Sequence, residues 1–354
     1  MEYTTLKDGF TFPKIINGMW QVTGGHGKIN YKNALNDMVE YISSGLNTFD
    51  MADHYGPAED LYGEVLVQVR KGEVKLNPNQ TSFNLLYFFI FVWCVLVVGF
   101  TKWFPRPGVV TLESTTKAIN RAASRMKLDK IELLQFHWWD YDDERYIDAL
   151  KALVTLKNQS KPLISHIGLT NFDTKRLQII KESIGIENNI VTNQVSYSII
   201  DRRCEKSMVQ FCNNNDIYII AYGVCLGGLI SEKFLGVPEP SQVALNTWSL
   251  QKYRDYVERW GGWRLFQDLL EVLKKVGNKH GVSLTVVAIR YILDKPRVGA
   301  LVIGCRWGIT KHIDDLTMTL FSFSLDKDDL RLIESIVSKG DTMLGWTDCG
   351  DEYR

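Results

Sequence analysis

A carboxylate, a phenol, an ammonium and an imidazole stand at the ends of three successive apolar segments. Asp50 and Tyr55 lie in DMADHYG, Lys102 in GFTKW, and His137 in LLQFHWW. Reducing a carbonyl by hydride transfer leaves an alkoxide that must take a proton as it forms. A free phenol, with a pKa of about 10, is a reluctant acid at neutral pH. A Lys ammonium within reach favours the phenolate and lowers that value, and a carboxylate behind the Lys keeps it charged and placed. An imidazole can hydrogen-bond the carbonyl oxygen. This chemistry makes Tyr55 the general acid, Lys102 its tuner, Asp50 the anchor of Lys102, and His137 the group that orients and polarises the carbonyl. Each residue alone has an ordinary alternative: Asp50 as a helix cap, Tyr55 as a ring packed before Gly56 and Pro57, His137 as a satisfied strand end. Four together at matching ends favour the chemistry. Asp53 and His54, inside the same motif, read as solvated loop residues.

Such a set works only if several segments deliver it to one place. Apolar runs of strand length alternate with amphipathic helical stretches along the chain. The predicted strands are 14–20, 46–50, a segment ending at Lys102, 131–137, 163–170, 190–195, 217–223 and 299–304. The predicted helices are 32–44, 58–70, 113–126, 143–157, 173–183, 203–214, 263–280 with 284–294, 308–320, and a last one near 326–338. Eight βα units in succession predict an α/β fold, the (β/α)8 TIM barrel, with its active site at the C-terminal ends of the strands. Reading those ends yields Asp50, Lys102, His137, Thr170, Asn171, Gln194, Tyr222 and Arg306. No G-x-G-x-x-G follows the first strand, which disfavours a doubly wound sheet. The whole chain, 1–354, reads as one barrel domain with an insertion at 75–100.

On these residues the sequence resembles the aldo-keto reductase superfamily, in which an Asp and a Tyr after the second strand join a Lys from the third and a His from the fourth. The resemblance runs from about Gly18 to about Asp328, and TNFDT at 170–174, NQVSYS at 193–198 and the EPSQVALNT loop look like one subgroup. It implies an oxidoreductase that uses NADP, with NAD less favoured, to reduce an aldehyde, ketone or sugar lactol. Thr170, Asn171 and Gln194 match the residues that hold the nicotinamide carboxamide, and Tyr222 matches the ring stacked on the nicotinamide. Read by themselves, Asn171 would cap a helix and Gln194 would solvate a strand end. The loop GVCLGGL at 223–229, with Gly227, would let backbone N–H groups approach the pyrophosphate. Arg306 and Lys311 match the cationic pair around the adenosine 2′-phosphate, which a planar guanidinium grips in bidentate fashion. Asp314 and Asp315 stand where Glu-Asn is usual, so the adenine contacts are unassigned. Trp20 and Trp138, with Trp139, would wall an apolar substrate pocket or belong to the core, and 231–262 would cover the site. The resemblance also admits a cofactor-binding auxiliary subunit with little turnover.

Composition narrows the classes. Lys plus Arg number 41 and Asp plus Glu 41, a balance that argues against a nucleic-acid partner and leaves a small-molecule substrate. Six cysteines form no C-x-x-C pair and no zinc-type spacing, so no metal site is expected. The first residues contain no apolar run before Pro13, and the expected location is cytoplasmic. Oligomeric state is not legible. One segment departs from the pattern: LLYFFIFVWCVLVVGF, 85–100, has no charge. As a helix it would span roughly 24 Å, short of a ~30 Å hydrocarbon core. The interval from Tyr55 to Lys102 is also longer than the resemblance implies. The excess reads as extraneous, intron-derived sequence ahead of Gly99; a membrane span and a genuine insertion ending in the third strand are the alternatives. Membrane association is expected only through 85–100.

Overall fold

The computed structural model describes residues 1–74 and 97–349. The chain opens with a hairpin, β1 (Tyr3–Thr5) and β2 (Thr11–Pro13), followed by β3 (Ile15–Gly18), α1 (Tyr31–Ser43), β4 (Thr48–Asp50) and α2 (Ala58–Arg70). Next come β5 (Val98–Trp103), α3 (Leu112–Met126), β6 (Ile131–His137), α4 (Tyr146–Asn158), β7 (Ile164–Thr170) and α5 (Thr174–Ile184). The remainder is β8 (Ile190–Ser196), α6 (Met208–Asn214), β9 (Tyr218–Tyr222), α7 (Trp248–Trp260), α8 (Gly262–His280), α9 (Leu284–Leu293), β10 (Val298–Gly304) and α10 (Lys327–Val337). Strands β3 to β10 are all parallel and close in the order β10-β3-β4-β5-β6-β7-β8-β9, the (β/α)8 barrel expected from the alternation.

Parallel strands covered by helices are buried on both faces, which is why these segments read as near-continuous apolar runs. Ile16, Phe100, Leu133, Ile220 and Ala300 fill the barrel axis. The hairpin closes its N-terminal end: Phe12 sets its ring edge-on to Phe100 at 5.5 Å, and Asp8 accepts from His166 Nε2 at 2.7 Å. Strand register decides what lies at the other end. Gly18 pairs with Asp50, Lys102 with Gln135, His137 with Thr170, Thr170 with Gln194, and Ser196 with Tyr222. The chemical residues therefore arrive at one level of the barrel.

Three segments depart from the sequence reading. Residues 308–320 hold only a short helical stretch at 313–319, of π type over Asp315–Thr319. The Gly308 and His312 N–H groups are taken by α1, through Asp37 Oδ2 at 2.6 Å and Tyr41 Oη at 2.9 Å. Within 231–262, α7 forms where covering loop was expected; Thr247 caps it, accepting from Leu250 N at 3.2 Å. The hairpin β1–β2 was not anticipated. The third barrel strand runs through Lys102 to Trp103, but the rest of the 75–100 insertion, up to residue 96, and the readings attached to it lie outside the described residues. Among the described residues, no helix is long and apolar enough to cross a membrane.

Candidate active site

The strand ends open into a cleft of about 650 Å³, and Asp50, Tyr55, Lys102 and His137 all line it. Asp50 and Lys102 form an ion pair in which both residues are nearly inaccessible, 3% and 2% exposed. Burial lowers the Lys102 ammonium's pKa, and the Asp50 charge opposes that shift. Lys102 Nζ also donates to the Met51 carbonyl at 3.3 Å. The second Asp50 oxygen accepts from Gln135 Nε2 at 2.7 Å and from Gln194 Nε2 at 2.9 Å, so the carboxylate is fixed by groups on three other strands. Gln194 Nε2 bonds Gln135 Oε1 as well, at 2.7 Å. Lys102 Nζ sits 5.3 Å from the Tyr55 ring centroid. From Tyr55 an arc of rings leads on: His54 at 4.9 Å, Phe104 at 5.2 Å from His54, and His137 at 4.7 Å from Phe104.

The turn carrying Tyr55 is held from outside the barrel. Arg125, near the end of α3, donates to the carbonyls of Asp53 at 3.4 Å and Gly56 at 2.5 Å, on either side of Tyr55. Its guanidinium pairs with the buried Glu59 at 2.9 Å, and Glu59 accepts from Thr101 Oγ1 at 2.6 Å, next to Lys102 in β5. Burial raises the Glu59 pKa, against the pull of Thr101 and Arg125. Arg125→Met strands that carboxylate, and losing one partner of a buried pair costs about 3–5 kcal/mol. A raised carboxyl binds its proton more tightly folded than unfolded. The variant's deficit in urea unfolding should therefore widen as pH rises above the ordinary carboxylate value and narrow below it. A deficit independent of pH would remove Glu59 from the account.

Across the cleft, Asn171 adopts φ +61°, its N–H donates to the Gln194 carbonyl at 2.9 Å, and its Oδ1 accepts from Tyr222 Oη at 3.0 Å. Tyr141 Oη donates to the Asn171 carbonyl. Thr170 Oγ1 lines the cleft, buried and without a hydrogen-bond partner among the described residues. Gly223 and Gly227 have φ of +79° and +65°; a Cβ would meet Tyr253 Oη at 2.5 Å and Ser249 Cβ at 2.7 Å, so only glycine lets this loop pass α7. Arg306 lines the cleft, donating to the His26 carbonyl at 3.2 and 3.0 Å, and Trp20 lines it too, edge-on to the His26 ring at 4.9 Å.

Two expected residues are elsewhere. Lys311 does not line the cleft; it pairs with Asp37 at 3.2 Å and with Glu40 on α1, and those carboxylates raise its pKa. Trp138 is 1% exposed, donates to the Asp143 carbonyl at 2.9 Å and packs in the core beside Trp139, not in the cleft wall. Other residues were missed. Gln135 was visible as the one amide in IELLQFH, two positions from His137 and so on the same strand face. Lys252 lines the cleft with its Nζ 5.3 Å from the Tyr222 ring centroid; it sits on α7, which was read as loop. Gln21 Oε1 is a further buried acceptor without a partner among the described residues. Among the described residues, no cluster of His, Cys, Asp and Glu could hold a metal ion.

Eight parallel strands closed on themselves, with polar groups gathered at one mouth, define a (β/α)8-barrel protein whose site is built from strand ends. A model of the Aldo/keto reductase family matches residues 14–338, and the chain belongs to that family of NAD(P)H-dependent oxidoreductases. Flagellar radial spoke protein 5 of Chlamydomonas reinhardtii is 32% identical over 182 residues, 47% of this chain; the match spans only 34% of that protein's length. Aldo-keto reductase YhdN of Bacillus subtilis is 22% identical over 349 residues, 96% of this chain and 95% of that one. The solved aldo/keto reductase of Klebsiella pneumoniae in complex with NADP and acetate has a TM-score of 0.65 at 16% identity, covering 94% of this chain and 95% of that one.

Proposed function

We propose that the protein reduces a small carbonyl substrate with NADPH, Tyr55 supplying the proton. The observation that carries this reading is the buried Asp50–Lys102 pair set against the Tyr55 ring in a cleft that also contains His137. Bound nicotinamide cofactor supplies the hydride. Lys102, kept charged by Asp50, lowers the cost of phenolate and lets Tyr55 give up its proton near neutral pH. His137 hydrogen-bonds the carbonyl oxygen and turns it toward Tyr55. The cleft's own groups suit a primary carboxamide, which needs both donors and acceptors. Thr170 offers a buried hydroxyl with no partner among the described residues, and Asn171 and Gln194 offer amides beside it. Tyr222 offers its ring as a stacking face.

The assay is NADPH consumption with a panel of small aldehydes such as 4-nitrobenzaldehyde. Turnover that persists in Tyr55→Phe would sink the assignment. The similarity to a radial spoke protein favours a second reading, a cofactor-binding part of an assembly with little turnover. Tight NADPH binding without consumption across the panel would select it.

With Lys311 engaged by Asp37 and Glu40, the preference for the 2′-phosphate falls to Arg306. Arg306→Ala should weaken NADPH binding by about 1.5–3 kcal/mol, the scale of a hydrogen bond to a charged group, and scarcely affect NADH. Fluorescence titration with both cofactors checks this. Equal losses would put Arg306 away from the phosphate.

A further inference from the structure

Gln135 lies in β6, wholly buried, and does not line the cleft. The register sets it beside Lys102 of β5 on one side and Gly168 of β7 on the other. A Cβ at Gly168 would come within 3.2 Å of Gln135 Cγ and 2.4 Å of Thr192 Oγ1, so the glycine leaves room for the Gln135 stem. Three polar groups meet at its tip. Gln135 Nε2 donates to Asp50 Oδ1 at 2.7 Å, and Gln194 Nε2 donates to the same oxygen at 2.9 Å. Gln194 Nε2 donates again to Gln135 Oε1 at 2.7 Å. The chemistry allows one arrangement. A carboxylate only accepts, so both amides turn nitrogen toward Asp50, and the oxygen of Gln135 takes the second hydrogen of Gln194. Both hydrogens on Gln194 Nε2 are then spent, which leaves its Oε1 as the atom it can offer to a carboxamide N–H.

We infer that Gln135 is a positioning residue for the proton transfer: its N–H holds Asp50 as the carboxylate and so keeps Lys102 as the ammonium that tunes Tyr55. The inference rests on the reading of Tyr55 as proton donor and Lys102 as its tuner. Asp50 Oδ2 meets Lys102 Nζ where both side chains are shut away from solvent. There the ion pair competes with a neutral pair, in which one proton passes from Nζ to Oδ2 and no charge remains to favour the phenolate. Hydrogen bonds to a carboxylate favour its charged form. The two amide bonds on Oδ1 therefore tip the balance toward the ion pair. Gln135 supplies the shorter of them and orients the other through Gln194. Leucine would fill much of the same space without that donor, so packing alone gives no reason for an amide here.

Gln135→Leu removes the donor. Its kcat for aldehyde reduction at neutral pH should fall by about tenfold, the worth of one hydrogen bond to a charged group, with KM nearly unchanged. Gln135→Glu adds a readout that packing would not move. Protonated, the introduced carboxyl donates to Asp50 as the amide did; ionised, it cannot donate, and its charge opposes the phenolate. The titratable groups facing position 135 are Asp50 from β4, Lys102 from β5 and His137 two places along β6; β7 and β8 bring Gly168 and the neutral Gln194. Burial and Asp50 raise the pKa of the introduced carboxyl above the usual range, against the pull of Lys102. The kcat of Gln135→Glu relative to wild type should therefore stand near one in mild acid and fall by about tenfold or more as pH rises. An unchanged kcat in Gln135→Leu, or a Gln135→Glu ratio flat across pH, overturns the inference. Should Gln135→Leu fail to fold, the Gln135→Glu ratio decides. If the wild type reduces no aldehyde of the panel, the reductase reading fails by itself. Ultraviolet difference titration against Tyr55→Phe then still reads the network: a Tyr55 phenol that ionises at higher pH in Gln135→Leu supports it, and an unmoved titration overturns it.

Discussion

Tyr55→Phe should reduce NADPH-dependent aldehyde turnover by about 10²–10⁴, the usual worth of positioned acid–base catalysis, while the NADPH dissociation constant stays within about twofold. The substitution removes one oxygen from a half-buried ring and leaves the ring's contacts with His54 and Lys102 in place. The cofactor groups named above lie at the ends of β7, β8, β9 and β10 and in the loop after β9, whereas Tyr55 sits in the turn after β4. Stopped-flow and fluorescence titration on one preparation separate the two quantities. Parallel losses of turnover and affinity would mean that the cleft had collapsed and that Tyr55 had not been tested.

Lys102→Met should be nearly as damaging, and its pH profile carries the diagnosis. Burial holds the Lys102 pKa below that of a free lysine. The ammonium is charged below that pKa and lost above it, so wild-type kcat should fall on the alkaline side as Lys102 deprotonates. In Lys102→Met that alkaline limb should vanish, and kcat at neutral pH should drop by about 10² or more as Tyr55 loses its tuner. An unchanged kcat at pH 7 would remove Lys102 from the mechanism. The variant should also be less stable, because Asp50 keeps two amide donors and loses its countercharge. Breaking such a pair typically costs about 3–5 kcal/mol.

The barrel was legible because parallel strands buried on both faces leave apolar runs, and the strand ends were legible because Asp50, Lys102 and His137 interrupt those runs at or next to their last positions. The register then aligned them without further information. What stayed hidden depends on which neighbour a side chain meets. Lys311 has the right type and spacing for a phosphate ligand, but Asp37 and Glu40 on α1, far away in sequence, claim it. Trp138 directly follows the cleft-lining His137, and one residue further along the chain is enough to turn a side chain to the other side. The buried face of α7 is made of Leu250, Tyr253, Tyr256, Val257 and Trp260, and its rings resemble loop aromatics as much as a helix stripe, so Lys252 went unread with it. The Thr101–Glu59–Arg125 chain joins three elements by side chains alone, and no local spacing announces it.

The way Asp50 is held makes activity a gauge of alignment. Side chains on a strand alternate with a period of two, so sliding β5 by one residue against β4 would present Thr101 or Trp103 where Lys102 now meets Asp50. Helix content would be unchanged and the barrel would still be parallel and closed, so circular dichroism would report the native protein. The ammonium would be gone from the cleft, and Asp50 would face Gln135 and Gln194 alone. A preparation with native spectra and partial specific activity is therefore interpretable as a mixture of registers, and burst-phase titration of active sites would count the correctly aligned fraction directly.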